Sequence, residues 1–203
     1  CDVRPMPGSA NPATIDRILD ATLRRLEQHG LRRTTMDDIA QEAGLARPTL
    51  YEYFSNKGAI FSAAVGRDLD QFLIFLMQRF DGTGTVDDRL VQMATSALVE
   101  LRGHRLLQRL LATEQEALMP FVTADAPGLA VGYEWASRQI AAASGDSEPR
   151  EEHRRLAEMV IRVMHSLVLS PASSFELATR AEIERWARQW LSPWIAASGL
   201  GAA

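Results

Sequence analysis

The sequence predicts an all-α protein with an N-terminal three-helix domain and a larger helical domain, about nine helices in total. Apolar residues recur at helical spacing along most of the chain, turn residues separate these segments, and no run alternates as a half-buried strand does. Of the 203 residues, 46% are hydrophobic and 24% are charged. This composition is typical of an ordinary globular protein.

The first predicted helix runs from about Pro12 to His29 and is preceded by a Pro-, Gly- and Ser-rich stretch, residues 1–11, which predicts a mobile arm. Gly30 is expected to end this helix because glycine tolerates positive φ. The apolar face of the helix carries Ile15, Ile18, Leu19, Leu23 and Leu26.

Residues 35–54 predict a helix-turn-helix. Thr35 is the expected N-cap of its first helix, and Asp38, three residues later, completes a weak capping box. Gly44 allows the chain to turn, and Pro48 suits the first turn of a second short helix. Two short helices joined in this way can place the second one in the major groove of DNA. The apolar stripe of the first helix consists of Met36, Ile39, Ala40 and Ala43.

The second helix of this pair has two distinct faces. Leu50 and Phe54 are four residues apart, so they are expected to dock together on the first helix. Pro48 and Glu52 point away from them, with Thr49 and Tyr51 on the flanks. Any surface helix would show a similar polar face, so the pattern alone also allows a solvated helix without a DNA-binding role.

The run IAQEAGLARPTLYEYFSNK, which ends at Lys57, resembles the DNA-binding domain of TetR-type transcriptional regulators. The resemblance covers the first 65 to 70 residues in detail. Two positions depart from the family pattern: Ala46 replaces the usual Ser or Thr cap, and Gly58 replaces an acidic residue. The matching positions are Ile39, Ala40, Ala43, Gly44, Thr49, Leu50, Tyr51, Tyr53, Phe54 and Lys57.

The resemblance implies a sequence-specific regulator, a repressor by default, that binds a palindromic double-stranded DNA operator as a homodimer and leaves it when a small ligand binds. Pro48, Thr49, Tyr51 and Glu52 are then expected to read bases or groove shape. The expected phosphate contacts are Thr35, Arg47, Tyr53 and Lys57. The alternative is a helical small-molecule-binding protein without DNA function.

Charge supplies little general affinity for DNA. The net charge is −4, and within residues 1–60 eight basic residues balance eight acidic ones. A neutral segment must bind DNA through a local patch and through dimerisation.

After Lys57 the sequence predicts one helix that extends to about Phe80 and is apolar on all sides between Phe72 and Met77. This helix is expected to link a DNA-binding domain of residues 12–70 to a ligand-binding and dimerisation domain of residues 71–203. Further helices are predicted at about Val86–Leu101, His104–Glu116, Leu129–Ala143, Glu148–Leu169 and Arg180–Ile195.

Aromatic residues, methionines and one histidine in the second domain are candidate lining of a pocket for an apolar or amphipathic effector. Most of them would serve equally well as plain core. The candidates are Phe72, Phe75, Met77, Met93, Phe121, Tyr133, Trp135, Met164 and His165.

The last two long helices match, by resemblance, the dimer interface of TetR-type proteins. Three tryptophans at i, i+4 and i+8 favour an interface, since Trp is enriched at such contacts, but packing inside the protomer is the alternative. The candidate interface residues are Leu156, Val160, Val163, Leu167, Trp186, Trp190 and Trp194.

No motif for catalysis, nucleotide binding or a metal centre is present in the sequence, so we expect no enzyme, no metal and no cofactor. Glu100 and His104 could share one metal ion, but Gly103 is expected to break the helix between them. No apolar run reaches the ~20 residues of a membrane span. The absence of a signal-peptide pattern and the single cysteine, Cys1, favour a cytoplasmic location.

Overall fold

The computed structural model describes residues 11–123, 126–170 and 174–200. These residues form eleven helices and no strand, which confirms the all-α prediction. Residues 1–10 of the predicted arm lie outside the described residues. The helices are α1 (Pro12–Arg33), α2 (Met36–Glu42), α3 (Arg47–Tyr53), α4 (Lys57–Gln78), α5 (Val86–Gly103), α6 (Arg105–Thr113), α7 (Gln115–Val122), α8 (Pro127–Ala143), α9 (Glu151–Leu169), α10 (Arg180–Trp190) and α11 (Ser192–Ser198).

Two helix breaks explain why eleven helices are found where about nine are predicted. The segment predicted to be helical up to Glu116 is divided at Glu114 into α6 and α7. The last predicted helix is divided at Leu191, and Pro193 lies in the first turn of α11. Proline fits that position because an N–H group in the first turn of a helix has no helical partner.

The chain forms two compact units. The first contains the described residues up to Leu69 together with Arg109–Ala117, and the second contains Asp70–Gln108 together with the described residues from Leu118 onward. The short segment Arg109–Ala117 is distant in sequence from the rest of the first unit, and the linear boundary predicted after residue 70 does not include it.

α1 begins with a side-chain cap and is interrupted near its end. The Asn11 side chain accepts a hydrogen bond from the Ala13 N–H at 3.1 Å, and Pro12 occupies the first helical position. Gly30 has φ 75° and ψ 170°, a conformation outside the helical region that glycine adopts readily. The helix predicted to end before Gly30 is therefore broken there, and one more turn, residues 31–33, follows the break.

The core of the first unit lies where α1, α2, α3 and α4 meet. Ion pairs support it from outside: the Arg67 guanidinium on α4 contacts the carboxylates of Asp16 and Asp20 on α1. The buried core residues are Ile18, Leu19, Ala21, Ile39, Ala40, Ala43, Leu50, Ile60 and Ala64.

In the second unit α8 packs against α9, and α5 packs against both α9 and α10. Fully buried side chains on these helices include Leu90, Leu98, Ile140, Leu156 and Ile183. None of the described helices is long and apolar enough to cross a membrane.

Candidate DNA-binding surface

The start of α2 is fixed by a reciprocal cap. The Asp38 N–H donates to the Thr35 hydroxyl oxygen at 3.2 Å, and the Thr35 N–H donates to the Asp38 carboxylate at 2.9 Å. The Thr35 hydroxyl also donates to that carboxylate at 2.7 Å, and the bonds from Thr35 hold the pKa of Asp38 below its ordinary value. The Thr35 hydroxyl, predicted to contact phosphate, is thus engaged in the cap of α2.

The turn between α2 and α3 is a Schellman motif. The Gly44 N–H donates to the Gln41 carbonyl at 3.1 Å, and the Leu45 N–H donates to the Ala40 carbonyl at 2.9 Å. Gly44 has φ 64°, so a residue with a side chain would be strained there. Leu45 packs against the core of the first unit. The turn therefore sets the direction in which α3 leaves α2.

α3 buries one face and exposes the other. Leu50 is 0% exposed, and Tyr53 and Phe54 are partly buried against the same core. On the opposite face Tyr51 is 42% exposed. Pro48 and Glu52 are also exposed, and Thr49 is half-buried. The predicted base-reading residues thus share the outer part of α3, whereas Tyr53, predicted at a phosphate, lies partly in the core.

Arg47 begins α3 and is held by two neighbours. Its guanidinium lies 3.1 Å from the Asp37 carboxylate on α2, and its Cζ atom lies 5.7 Å from the centroid of the Tyr51 ring. The Arg47 and Asp37 side chains are both about 60% exposed, at 59% and 61%, so the pair contributes little to stability. It does place a negative charge beside the cation that is predicted to contact phosphate.

Sequence reasoning missed this role of Asp37, because ten residues separate it from Arg47 and the pairing depends on the turn between them. Two further pairs cross from α1 to α2: Arg24 with Glu42 at 2.8 Å, and Arg25 with Asp38 at 3.3 Å. Three arginines of this segment, Arg24, Arg25 and Arg47, are therefore paired directly with carboxylates of the same segment.

Lys57, at the start of α4, donates a hydrogen bond from Nζ to the Leu31 carbonyl at 3.0 Å. In the free protein its ammonium group thus holds the end of α1. A phosphate contact by Lys57 stays a prediction, and it would have to be made alongside this bond or in exchange for it.

The structure places the pocket candidates at different depths in the second unit. Met93 and Met164 are buried, Phe75 is 39% exposed, and the other six are half-buried. Phe72 packs edge-on against His104 with ring centroids 4.7 Å apart, and Trp135 packs against Phe80 at 5.2 Å. The pocket hypothesis included neither His104 nor Phe80, because ring contacts across helices cannot be read from spacing along one helix.

His165 is the polar candidate among these residues. Burial lowers the pKa of its imidazole, and a hydrogen bond with the Val122 backbone opposes that shift. Its Nε2 atom has no hydrogen-bond partner among the described residues. The imidazole is thus favoured in its neutral form, with one nitrogen available to a polar group.

The candidate interface residues divide by burial. Leu156, Val160, Leu167 and Trp186 are between 2% and 9% exposed within the protomer. Their side chains lie in the core of the second unit, so they leave little surface exposed within the protomer. A contact of these four residues with a partner subunit stays a prediction. The remaining three differ: Val163 and Trp194 are half-buried, and Trp190 is 47% exposed.

Among the described residues, no group of three or more His, Cys, Asp or Glu side chains could hold a metal ion. The first unit instead contains the elements of a DNA-binding helix-turn-helix motif: a capped helix, a tight turn and a second helix with one face exposed. The fold and this surface define the class of helix-turn-helix transcriptional regulators.

Comparisons with known proteins identify the family within this class. Residues 18–64 match the family described as bacterial regulatory proteins, tetR family. An uncharacterized HTH-type transcriptional regulator of Mycobacterium tuberculosis (strain H37Rv) is 30% identical over 192 residues, which cover 90% of this chain and 88% of the relative. The chain therefore belongs to the TetR family of transcriptional regulators, and it is a DNA-binding regulator.

Solved structures share the fold across almost the whole chain. The TetR family repressor AlkX from Dietzia sp., implicated in biodegradation of n-alkanes, has a TM-score of 0.63 at 19% identity and covers 95% of this chain and 98% of its own. The transcriptional regulator FadR from Bacillus subtilis, in complex with stearoyl-CoA, has a TM-score of 0.58 at 17% identity, covering 87% of this chain and 96% of its own.

Proposed function

We propose that this chain is a repressor that binds a palindromic operator as a homodimer through α3 and is released by a small apolar or amphipathic ligand held in the second unit. The observation that carries the DNA-reading part is the division of α3 into a face anchored by the fully buried Leu50 and a face that exposes Tyr51. The Schellman turn at Gly44 fixes the angle at which that face is presented.

The exposed face of α3 is better suited to contacts with bases in a DNA groove than to sequence-independent binding of a polyanion. Thr49, Tyr51 and Glu52 offer hydrogen-bonding groups to base edges, and the Glu52 carboxylate can accept from a cytosine amino group. The one cation of α3, Arg47, is paired with Asp37. Sequence-independent affinity is therefore low, and two copies of α3 on one operator are needed for tight binding.

A homodimer is supported by apolar surface on the second unit. Val131 on α8 and Met159 on α9 are 53% and 46% exposed, although α8 and α9 pack against each other. Trp190 on α10 is 47% exposed and contacts the ring of Phe175, itself 41% exposed. Large apolar side chains clustered at a surface are typical of protein interfaces.

An apolar or amphipathic ligand is supported by the aromatic and methionine side chains of the second unit and by the stearoyl-CoA bound to the structurally similar FadR. The unpartnered Nε2 of His165 offers a polar contact beside this apolar surface. Release follows if the ligand prefers a conformation in which the two α3 helices no longer fit successive major grooves.

The test uses an operator isolated by the wild-type protein from genomic fragments. Tyr51→Ala should weaken operator binding by about 1–3 kcal/mol. Affinity for random DNA should change little, because the substitution removes no lysine or arginine side chain. Fluorescence anisotropy at several salt concentrations measures both affinities. Gln28→Ala, an exposed change on α1, is the matched control. Equal losses on operator and random DNA would refute a reading role for Tyr51.

The same complex tests the ligand. Stearoyl-CoA, added to the wild-type protein on its operator, should lower operator affinity, and a shorter acyl-CoA should do so less because it buries fewer CH₂ groups. Operator affinity that does not change with any acyl-CoA would refute an acyl chain as the effector and leave the DNA-reading role of α3 untouched.

A further inference from the structure

The short turn between α1 and α2 is a separate piece of helix. Gly30 has φ 75° and ψ 170°, so helical geometry stops there and resumes for one turn, residues 31–33. The first N–H groups and the last carbonyl groups of such a turn have no partner within it. This turn leads through Thr34 directly into Thr35, the N-cap of α2. Its orientation therefore decides where the helix-turn-helix begins.

A carboxylate from a distant part of the chain binds the N–H end of this turn. Glu114 Oε1 accepts a hydrogen bond from the Arg32 N–H at 3.3 Å, and 82 residues separate the two. Oε2 lies 3.7 Å from Arg32 Nε, but the Arg32 side chain is 85% exposed whereas that of Glu114 is 9% exposed. A carboxylate that is so little exposed needs a hydrogen-bond partner inside the protein, and the backbone N–H supplies it.

A cation binds a carbonyl group of the same turn. Lys57 Nζ donates to the Leu31 carbonyl at 3.0 Å, and the Thr34 hydroxyl donates to the carbonyl of Gly30, just before the turn, at 2.7 Å. An anion at the N–H end and a cation at a carbonyl follow the polarity of a helical turn, and each is stabilising in that position. The turn is thus held between Glu114 and Lys57.

Gly30 lies next to Glu114, and its conformation favours glycine. A Cβ atom at position 30 would lie 3.6 Å from Glu114 Oε1 and 3.8 Å from Arg109 Nη2, which are ordinary contact distances, so the φ of 75° and not a lack of space disfavours a side chain there. Glu114 is itself the residue at the break between α6 and α7. The residue between α6 and α7 therefore supplies the carboxylate that accepts a hydrogen bond from the turn after the break in α1.

We propose that Glu114 is a positioning residue for operator binding, acting through the 31–33 turn rather than by touching DNA. Its carboxylate fixes the turn, the turn fixes the start of α2, and α2 with the Gly44 turn presents α3. The proposal rests on the assignment of operator reading to α3. Wild-type protein that bound no operator would refute that assignment, whereas wild-type binding with an unaffected Glu114 variant would refute the positioning role alone.

The experiment compares Glu114→Ala with Glu116→Ala, a change of an exposed glutamate two residues further along. Glu114→Ala should weaken operator binding about tenfold, within the range usual for coupling between sites, and should speed hydrogen exchange of the Arg32 amide. Random-DNA affinity and the salt dependence of binding should stay unchanged, since the phosphate-contacting cations remain. Glu116→Ala should leave all four quantities at their wild-type values.

Two further variants separate positioning from stability. Glu114→Gln keeps an oxygen that can accept from the Arg32 N–H, so it should recover most of the operator affinity. Gly30→Ala places a side chain at φ 75° and should reproduce the loss by a different route. If folded Glu114→Ala showed wild-type operator affinity and wild-type exchange at Arg32, or if Gly30→Ala bound the operator normally, the proposal would be overturned.

Discussion

In the first unit, Leu50 on α3 lies four residues before the C-cap residue Phe54, and in the second unit Trp186 on α10 lies four residues before Trp190. The two helices nevertheless differ in how well their side chains are buried. On α3 the inward residue Leu50 is 0% exposed and the outward Tyr51 is 42% exposed, as helical spacing predicts. On α10 the two tryptophans that share a face diverge: Trp186 is 6% exposed and Trp190 is 47% exposed. Spacing along a helix gives the direction of a side chain, but only a neighbour in that direction can bury it.

The difference between the two helices follows from where each one ends. α3 is short, and the turn before it and the core beneath it cover its inner face along its length. α10 packs on α5, its buried residues are Ile183, Trp186 and Ala187, and Trp190 is its last residue. Phe175 contacts both tryptophan rings, with centroids 6.0 Å from Trp186 and 5.7 Å from Trp190, but it is exposed itself. The neighbouring elements therefore bury Trp186 but leave Trp190, at the end of the same face, largely exposed.

The largest expected effect compares the two tryptophans. Trp186→Ala should lower the free energy of unfolding by about 3–5 kcal/mol, because it removes a buried aromatic side chain from the core. Trp190→Ala should lower it far less in a dilute, monomeric sample. Urea unfolding followed by circular dichroism measures both. Similar losses for the two variants at low protein concentration would break the distinction between a covered and an uncovered part of α10.

A smaller effect concerns pH and a buried cap in the second unit. His153 is 0% exposed, and its Nδ1 accepts a hydrogen bond from the Arg150 N–H at 2.9 Å, closing the N-terminus of α9. Burial, and then the charge of Arg150, lower the pKa of His153, while Asp146, whose carboxylate lies 3.4 Å from Nε2, opposes the shift. The folded protein therefore favours the neutral ring, the only form whose Nδ1 can accept this bond.

The sign of the pH effect follows from that preference. A histidine whose pKa is lower in the folded state stabilises the protein fully above its unfolded pKa of about 6.5. That stability is lost as the pH falls from this value toward the folded pKa. Urea unfolding at pH 7.5 and pH 5.5 should show the loss, and His153→Gln should reduce it without abolishing it, because His165 contributes with the same sign. An identical pH dependence in His153→Gln would exclude His153 as a source.

The smallest effects concern the caps of the helix-turn-helix. Thr35→Ala removes the reciprocal cap of α2 and should lower the free energy of unfolding by about 1 kcal/mol. Ala46, the N-cap position of α3, makes no side-chain hydrogen bond and already has the extended backbone of a cap, φ −71° and ψ 144°. Ala46→Ser should therefore raise the free energy of unfolding by up to about 1 kcal/mol.

Urea unfolding of the two single variants and of the double variant measures these effects, with Glu116→Ala as the surface control. Opposite signs for Thr35→Ala and Ala46→Ser sharpen the contrast between a capped α2 and an uncapped α3. A destabilising Ala46→Ser would show that the start of α3 is fixed by tertiary contacts and cannot use a cap.

Most of the helix-turn-helix could be predicted because short-range chemistry decides it. Thr35 with Asp38, Gly44 and Pro48 act through neighbours no more than a few residues away. The contacts of Arg47 with Asp37, Lys57 with Leu31, and Glu114 with Arg32 could not be predicted in this way. Each joins residues 10 or more apart in the chain, so each exists only after the helices are arranged.

The sequence by itself determined the all-α class, the place of the helix-turn-helix and the family, because helical periodicity, caps and turn glycines are local. Only the tertiary structure decided which apolar residues are core and which are surface. Leu156, Val160, Leu167 and Trp186 are core, whereas Trp190 is exposed. The physical reason is that burial depends on the element lying opposite a side chain, and no pattern along one helix specifies that element.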